Sequence, residues 1–397
     1  MRAELIRSVG VVTHPLTPAQ SSRYATPRSA NGVVLVIPTL EGGGAEYQFF
    51  ELSVALKRRG YEVTPIVLRS STSDLFGKKL SEYGIEPRYL ATSSTMRPVV
   101  ISRLRRTLKS MQPRAVQSFL EANHYCAVAL LGLDIPLLFG VRNELNFTRL
   151  RALEQRYLAR RARLIVGNSE RALNHYAAQI GGSVAPKLRT VQNGISKDRF
   201  ARLSAPRSVD KRSLDVPDGA LVAIQVANMK FEAKGHDRLL MAWHQVEQQL
   251  PGAYLVLVGD GPLRQRFEEF AQRCGNRNVR FLGWRSDAID LLAESDLYVC
   301  SSRAEGYSNA LAEAALAGLP ILATDVGGNP EVLNGLDDCR LVPEAVADDA
   351  RAFSSEIVSM IGSRPSSMRS PRRDFWARVN PDQMAIEYGR LFEAATR

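Results

Sequence analysis

The sequence predicts an α/β protein of two Rossmann-like domains with a ligand cleft between them. Three observations predict it. Short β-branched runs alternate with helical periodicity from residue 32 onward, and a second series of the same kind opens at residue 220. Between them, in "LRTVQNGISKDRFARLSAPRSVDKRS" (188–213), the periodicity stops and turn-forming and basic residues accumulate. The chain has 397 residues, enough for two domains of ordinary size.

The elements follow in order. Residues 1–30 hold Ser, Thr, Pro and Arg but no apolar core of a secretory signal, so they read as a flexible arm. "GVVLVIPTL" (32–40) is a buried-type strand that feeds a glycine turn, an amphipathic helix and a further strand in "EGGGAEYQFFELSVALKRRGYEV". "RAVQSFL" (114–120), "IPLLFGV" (135–141) and "ARLIVGNS" (162–169) continue the alternation, each followed by helical periodicity. Past the break come "ALVAIQVANM" (220–229), "AYLVLVGDG", "VRFLGW", "DLYVCSS" and "PILATDV", again with helices between. The Ser/Pro/Arg-rich 363–373 segment reads as irregular, and "PDQMAIEYGRLFEAATR" as a closing helix, with Met384, Tyr388, Leu391 and Phe392 at helical spacing. The expected divisions are 1–30 for the arm, 31–200 for the first domain, 201–375 for the second and 376–397 for the last helix.

Composition narrows the function. The hydrophobic share of 45% is that of a globular protein, and "CAVALLGLDIPLLFGV" (126–141) is broken by Asp134 and Pro136, so no stretch approaches a membrane span. The expected location is the cytoplasm. Cysteines at 126, 274, 300 and 339 show neither paired nor metal-ligand spacing. Charge is uneven: residues 1–195 hold 27 Lys and Arg against 13 Asp and Glu, a net +14, while residues 196–397 hold 25 against 28, a net −3. The first half is therefore either a solubilising surface or one drawn to an anionic partner, whether membrane lipid, nucleic acid or a phosphorylated substrate. A nucleic-acid partner is disfavoured, because the basic runs lack interleaved aromatics and any recognised binding motif.

The most informative stretch is "RAEGYSNALAEA" (303–314). Gly306, Ser308 and Asn309 favour a turn, after which "ALAEAALAG" forms a helix, so Glu305 precedes the helix start and Glu313 lies about two turns inside it. Between the two carboxylates the helix N-terminus, at residues 307–310, offers backbone N–H groups to an anion. Two carboxylates bracketing an anion site suit a ligand with hydroxyls at both ends and phosphate in the middle, the layout of a nucleotide sugar.

With "GGGAE" (42–46), "VGNSE" (166–170), "VQNGI" (191–195), "ANMKFEAKGHDRLL" (227–240), "LVLVGDGPLR" (255–264), "VRFLGW" (279–284), "EGYSNALAEAALAGLP" (305–320) and "VGGNPEVL" (326–333) in order, the chain resembles a family 4 retaining glycosyltransferase of the GT-B fold. The resemblance implies a last helix that crosses back to the first domain. It further implies that Glu313 accepts hydrogen bonds from the donor ribose, that Glu305 lies near the transferred sugar, and that Lys234 neutralises the diphosphate leaving group. Gly43 and Gly44 let backbone approach the phosphate, and Ser308, Asn309 and Ala310 supply the helix-end N–H groups. No cofactor or metal is expected, since the nucleotide sugar is a substrate and no Asp-x-Asp loop is present. UDP is the favoured carrier, with the base settled by backbone near Gly283–Arg285.

The sequence departs from the family at two places. Asn228 stands where relatives carry an arginine, and either Lys230 supplies that charge or one cation suffices. Phe119 stands where many relatives carry a histidine, with Glu121, Asn123 or His124 as substitutes. Arg142 and Asn143, after "LLFGV", are candidates for acceptor or sugar contacts, or cap the next helix. Two basic helical stretches, "ISRLRRTLKSMQPR" (101–114) and "TRLRALEQRYLARRAR" (148–163), are either membrane-surface elements or ordinary sheet-packing helices. The expected acceptor is a lipid-linked saccharide of bacterial surface polysaccharide synthesis, met at the inner face of the cytoplasmic membrane. Alternatives are a soluble transferase with a small phosphorylated acceptor and a lapsed partner subunit.

Overall fold

β1 (Gly32–Ile37) shows why the sheets are parallel and covered on both faces. Its residues alternate between two cores: Val34 and Val36 join one apolar layer, Val33, Leu35 and Ile37 the other, and all five are fully buried. A computed structural model describes residues 32–92, 95–144, 146–204, 211–362 and 371–397. The arm expected at 1–30 and most of the 363–373 segment lie outside the described residues.

In the first domain β1 leads to α1 (Gly44–Arg58), β2 (Glu62–Val67), α2 (Leu75–Glu82), β3 (Arg88–Tyr89), α3 (Arg97–Met111), β4 (Ala115–Ser118) and α4 (Ala122–Ala129). β5 (Leu137–Val141), α5 (Arg149–Arg161), β6 (Leu164–Gly167), α6 (Glu170–Ile180) and β7 (Leu188–Thr190) complete it. The sheet runs β3-β2-β1-β4-β5-β6-β7, with the order reversing beside β1. β7 lies inside the stretch expected to be a boundary; it pairs with β6, Ile165 opposite Leu188, and so ends the first sheet.

The second domain comprises α7 (Lys197–Ser204), β8 (Leu221–Val226), α8 (His236–Gln249), β9 (Ala253–Val258), α9 (Arg264–Arg273), β10 (Val279–Gly283) and α10 (Ala288–Glu294). It continues with β11 (Leu297–Cys300), α11 (Asn309–Leu316), β12 (Ile321–Thr324), α12 (Asn329–Leu333), β13 (Cys339–Val342), α13 (Glu344–Asp348), α14 (Ala350–Met360) and α15 (Arg373–Arg378). Its sheet is β10-β9-β8-β11-β12-β13. β8 and β9 repeat the two-layer alternation, Val222, Ile224, Val256 and Val258 facing one core, Ala223, Leu255 and Leu257 the other.

The division expected at 200/201 falls within α7, whose Leu203 belongs with Ile195 to a core of the second domain. The one expected at 375/376 falls within α15, whose Phe375 packs into the same core. The chain instead crosses between domains before α7 and again after α15, where the two passages run side by side. Ile195 N–H donates to the Val379 carbonyl at 2.6 Å. Trp376 stacks on Phe200 at 4.9 Å and donates to the Ile195 carbonyl. α16 (Pro381–Thr396) then returns to the first domain, burying Met384, Ala385, Tyr388 and Phe392 with α1 in its core. This is the GT-B architecture, and it points the C-terminal ends of both sheets at one cleft.

Candidate functional site

Glu305 and Lys234 meet on the second domain's side of the cleft. The loop after β8 carries Lys234, whose main-chain carbonyl accepts from Gln225 Nε2 at 2.9 Å. The loop after β11 carries Glu305, and buried Arg238 of α8 grips that loop through the carbonyls of Ser301 and Ser302. Lys234 Nζ donates to Glu305 Oε1 at 2.7 Å, and Ser302 Oγ donates to the same oxygen at 2.7 Å. Burial by itself lowers the Lys234 pKa, but the Glu305 charge and hydrogen bond outweigh it and raise the value, so the ammonium is held charged.

α11 begins where the sequence placed it. Ser308 is its N-cap, the hydroxyl accepting from Leu311 N–H, which leaves the Asn309 and Ala310 N–H groups without an intrahelical acceptor. Glu313 stands four residues into the helix, one turn rather than the expected two, because the helix starts at Asn309. It is buried and ion-paired with Arg199 of α7.

The first domain approaches from the opposite side. Gly43 is the N-cap of α1, and a Cβ on Gly44 would lie 3.0 Å from Asn309 Nδ2, so glycine is what lets this turn come so close to α11. Asn309 Nδ2 donates to the Gly44 carbonyl at 3.1 Å, while its Oδ1 accepts from Asn193 Nδ2 at 2.8 Å and from Gln48 Nε2 at 3.2 Å. Gln48 also exchanges two hydrogen bonds with the Gly194 backbone at the domain crossing. Closure is reinforced behind the cleft: Glu331 accepts from the Glu170 and Arg171 N–H groups at the start of α6, and Arg171 pairs with Asp325.

The other expected residues divide between the glycine turn of the first domain and positions away from it. Lys230 is exposed and lies 4.0 Å from Glu41, and Asn228 is exposed with its Oδ1 accepting from Lys230 N–H. Glu121 is exposed at the start of α4. His124 faces α5 and contacts Glu154 at 3.1 Å. Arg142 is not a helix cap: it is buried, its guanidinium lies 4.6 Å from the Phe119 ring centre, and it donates to Tyr388 Oη at 2.7 Å and Asn193 Oδ1 at 3.2 Å. The helix it was to cap is capped by Thr148. Asn143 is exposed, and Arg285 is bound by Asp287. Asn123, named as a substitute for the histidine, is spent on Ser118 and Gly140.

Gln48, Asn193 and Arg199 were not singled out from sequence. "VQNGI" marks Asn193 as part of a motif, but nothing in the sequence says that it reaches α11. Among the described residues no group of three or more His, Cys, Asp or Glu is placed to hold a metal ion.

Two buried titratable groups give the site an expected pH signature. His236, stacked on Phe267 at 4.9 Å, has its pKa lowered to about 4 by burial and the Lys234 charge. Glu51 of α1 is raised to about 7 by burial, against the pull of Tyr47 and Arg199. The stability from His236 is present above pH 6.5 and lost as pH falls towards 4; that from Glu51 is present below pH 4.5 and lost as pH rises towards 7. The two slopes oppose, each spanning up to about 3 kcal/mol. In Glu51→Gln the His236 slope stands alone, so melting temperature should climb more steeply from pH 4.5 to 6.5 than in the wild type. Parallel melting curves for the two proteins across that range would refute the assignment.

Comparison with known proteins agrees with the geometry. The family described as "Glycosyltransferase Family 4" matches residues 42–199, and "Glycosyl transferases group 1" matches residues 220–363. A lipopolysaccharide core biosynthesis glycosyltransferase, LpsE of Rhizobium meliloti, is 28% identical over 340 residues, covering 83% of this chain and 89% of its own. A UDP-Gal:α-D-GlcNAc-diphosphoundecaprenol α-1,3-galactosyltransferase of Escherichia coli is 28% identical over 146 residues, 36% of this chain and 38% of its own. The crystal structure of Anabaena Alr3699/HepE in complex with UDP-glucose superposes with a TM-score of 0.74 at 19% identity, over 91% of this chain and 99% of that one.

Proposed function

The chain belongs to the family 4, group 1 glycosyltransferases of the GT-B fold, and from that premise we propose that it moves a sugar from a UDP-sugar to an acceptor hydroxyl with retention of anomeric configuration. The observation that carries this reading is the Lys234–Glu305 pair set beside the start of α11. When the bond from the anomeric carbon to the β-phosphate oxygen breaks, Lys234 and the Asn309 and Ala310 N–H groups stabilise the negative charge left on the diphosphate. Glu305 faces the positive charge that develops on the sugar. The acceptor oxygen attacks from the face the diphosphate leaves, and its proton passes to the departing phosphate oxygen. No carboxylate nucleophile is assigned, in contrast to double-displacement glycosidases. No metal is assigned either: Lys234 and the helix end carry the charge.

UDP is favoured because the matched Escherichia coli galactosyltransferase is named for UDP-Gal and the HepE complex contains UDP-glucose. Slow hydrolysis of UDP-glucose or UDP-galactose followed by proton NMR tests the stereochemistry. The first hexose released should be the α anomer; a β anomer appearing first would exclude retention.

We further propose a lipid-linked saccharide acceptor of surface polysaccharide synthesis, met at the inner face of the cytoplasmic membrane, as the names of LpsE and the galactosyltransferase suggest for those proteins. The two basic helices part ways here. α3 turns Val100, Leu104 and Leu108 into the core and packs against the sheet. α5 buries only Leu158 and Ala159 and leaves Leu150 80%, Leu153 62% and Tyr157 53% exposed on one stripe, among Arg149, Arg151, Arg160 and Arg161. An apolar stripe inside a cationic helix suits the headgroup region of an anionic membrane. No helix among the described residues is long and apolar enough to cross one.

The protein should sediment with phosphatidylglycerol vesicles at low salt, and Leu150→Ser with Leu153→Ser should lower the bound fraction at least about fivefold. Wild-type protein left in the supernatant would favour the small phosphorylated acceptor instead.

A further inference from the structure

Arg199 lies where three parts of the molecule meet. It belongs to α7, the first helix after the chain crosses between domains, and its guanidinium lies over the Tyr47 ring of α1 at 4.0 Å from the ring centre. The same guanidinium pairs with Glu313 on α11. Tyr47 is buried in the first domain, and its hydroxyl accepts from Ser196 N–H at 3.3 Å, just ahead of α7. Cation, aromatic face and carboxylate therefore link the first domain, the crossing and the second domain in one line.

We propose that Arg199 is a positioning residue for Glu313, holding that carboxylate in the orientation that accepts the donor's ribose hydroxyls and tying this orientation to closure of the two domains. The inference rests on the proposed reading of Glu313 as the ribose-binding carboxylate.

The physical argument concerns the lone carboxylate. Glu313 is buried, and a buried carboxylate without a cation takes up a proton or turns towards water, losing its use as a charged acceptor. Arg199 is the cation that the structure pairs with it, one guanidinium nitrogen, Nη1, lying on Glu313 Oε1, so its charge is what holds the carboxylate ionised. Tyr47 in turn limits the guanidinium to one plane, because the ring face attracts the cation. The other carboxyl beside Arg199, that of Glu51, competes weakly: burial raises its pKa to about 7, so on the acid side of that value it is protonated. Arg199 thus reports to the donor site whether α1 is in its closed position.

The test uses the ribose itself. Binding of UDP, GDP and ADP, each against its 2′-deoxy counterpart, is titrated into the full-length wild type, Glu313→Gln, Arg199→Gln, Arg199→Lys and Tyr47→Leu, with each variant's melting temperature recorded. The wild type should prefer the ribonucleotide about ten- to hundredfold, as expected for hydrogen bonds to a charged carboxylate. Glu313→Gln should lose that preference, Arg199→Gln should cut it to about threefold or less, and Tyr47→Leu and Arg199→Lys should fall between. In Glu313→Gln, adding Arg199→Gln should change nothing further. A purely structural Arg199 would weaken both nucleotides alike and leave the preference intact.

If Glu313→Gln loses the preference while Arg199→Gln keeps it, or if Arg199→Gln binds the ribonucleotide more tightly, the positioning role is overturned and the Glu313 reading stands. If the wild type shows no preference, or Glu313→Gln retains it, the reading of Glu313 fails and the inference with it.

Discussion

Lys234→Ala should lower the transfer rate by about two to three orders of magnitude and destabilise the fold by about 3–5 kcal/mol. The two effects have different causes. The rate loss follows from removing a cation placed where the diphosphate charge develops. The stability loss follows from the pairing of Lys234 with a nearly buried Glu305, which is left with only Ser302 to satisfy the shared oxygen. Lys234→Met combined with Glu305→Gln removes both charges, so stability should return substantially while the rate stays low. Thermal unfolding and steady-state kinetics on the wild type and the two variants check this. Recovery of activity in the double variant would show that the pair is structural and takes no part in transfer.

Gly306→Ala should leave each domain folded and lower activity about a hundredfold, because the domains can no longer close to the same distance. A Cβ at this position would lie 1.9 Å from the Arg142 carbonyl oxygen of the first domain and 2.9 Å from Asn168 Oδ1. Gly306 cannot retreat easily, since its own carbonyl accepts from Gly328 N–H at 2.7 Å and Gly327 is packed against the Glu305 carbonyl behind it. The substitution acts as a wedge at the domain seam. Small-angle scattering should show a larger radius of gyration for the variant, with little change in circular dichroism. An unchanged radius together with unchanged activity would mean that the seam is not the active arrangement.

Legibility in the sequence followed how local each feature is. The strands of both sheets were readable because a strand covered on both faces is apolar along its whole length, as in "GVVLVI" and "AYLVLV". β3, β7 and β13 were not: β3 and β7 are two and three residues long at the edges of the first sheet, and β13, an edge of the second, leaves Arg340 and Leu341 exposed. Glu305, Ser308 and Asn309 were readable because a loop, a cap and a helix are set by neighbours in the chain. Lys234 came from resemblance, and the structure places it on Glu305.

The first domain's contribution was misjudged because it depends on how two domains meet. Arg142 looked like a surface ligand contact after a strand, yet Phe119, Asn193 and Tyr388 come from distant segments to bury it. Phe119 is itself fully buried beneath that guanidinium. Gln48 and Arg199 carry no local signal at all: a glutamine in an amphipathic helix and an arginine in a basic stretch are ordinary until α11 is brought against them.

The central claim is that the cleft between Lys234, Glu305 and α11 binds a nucleotide sugar. The direct measurement is thermal-shift stabilisation by UDP, GDP, ADP and their sugars, compared among wild type, Glu313→Ala and Lys234→Ala. Selective stabilisation of the wild type by UDP and its sugar, lost in both variants, is the predicted result. Stabilisation that persists in both variants, or none in the wild type with any of these ligands, would contradict the claim.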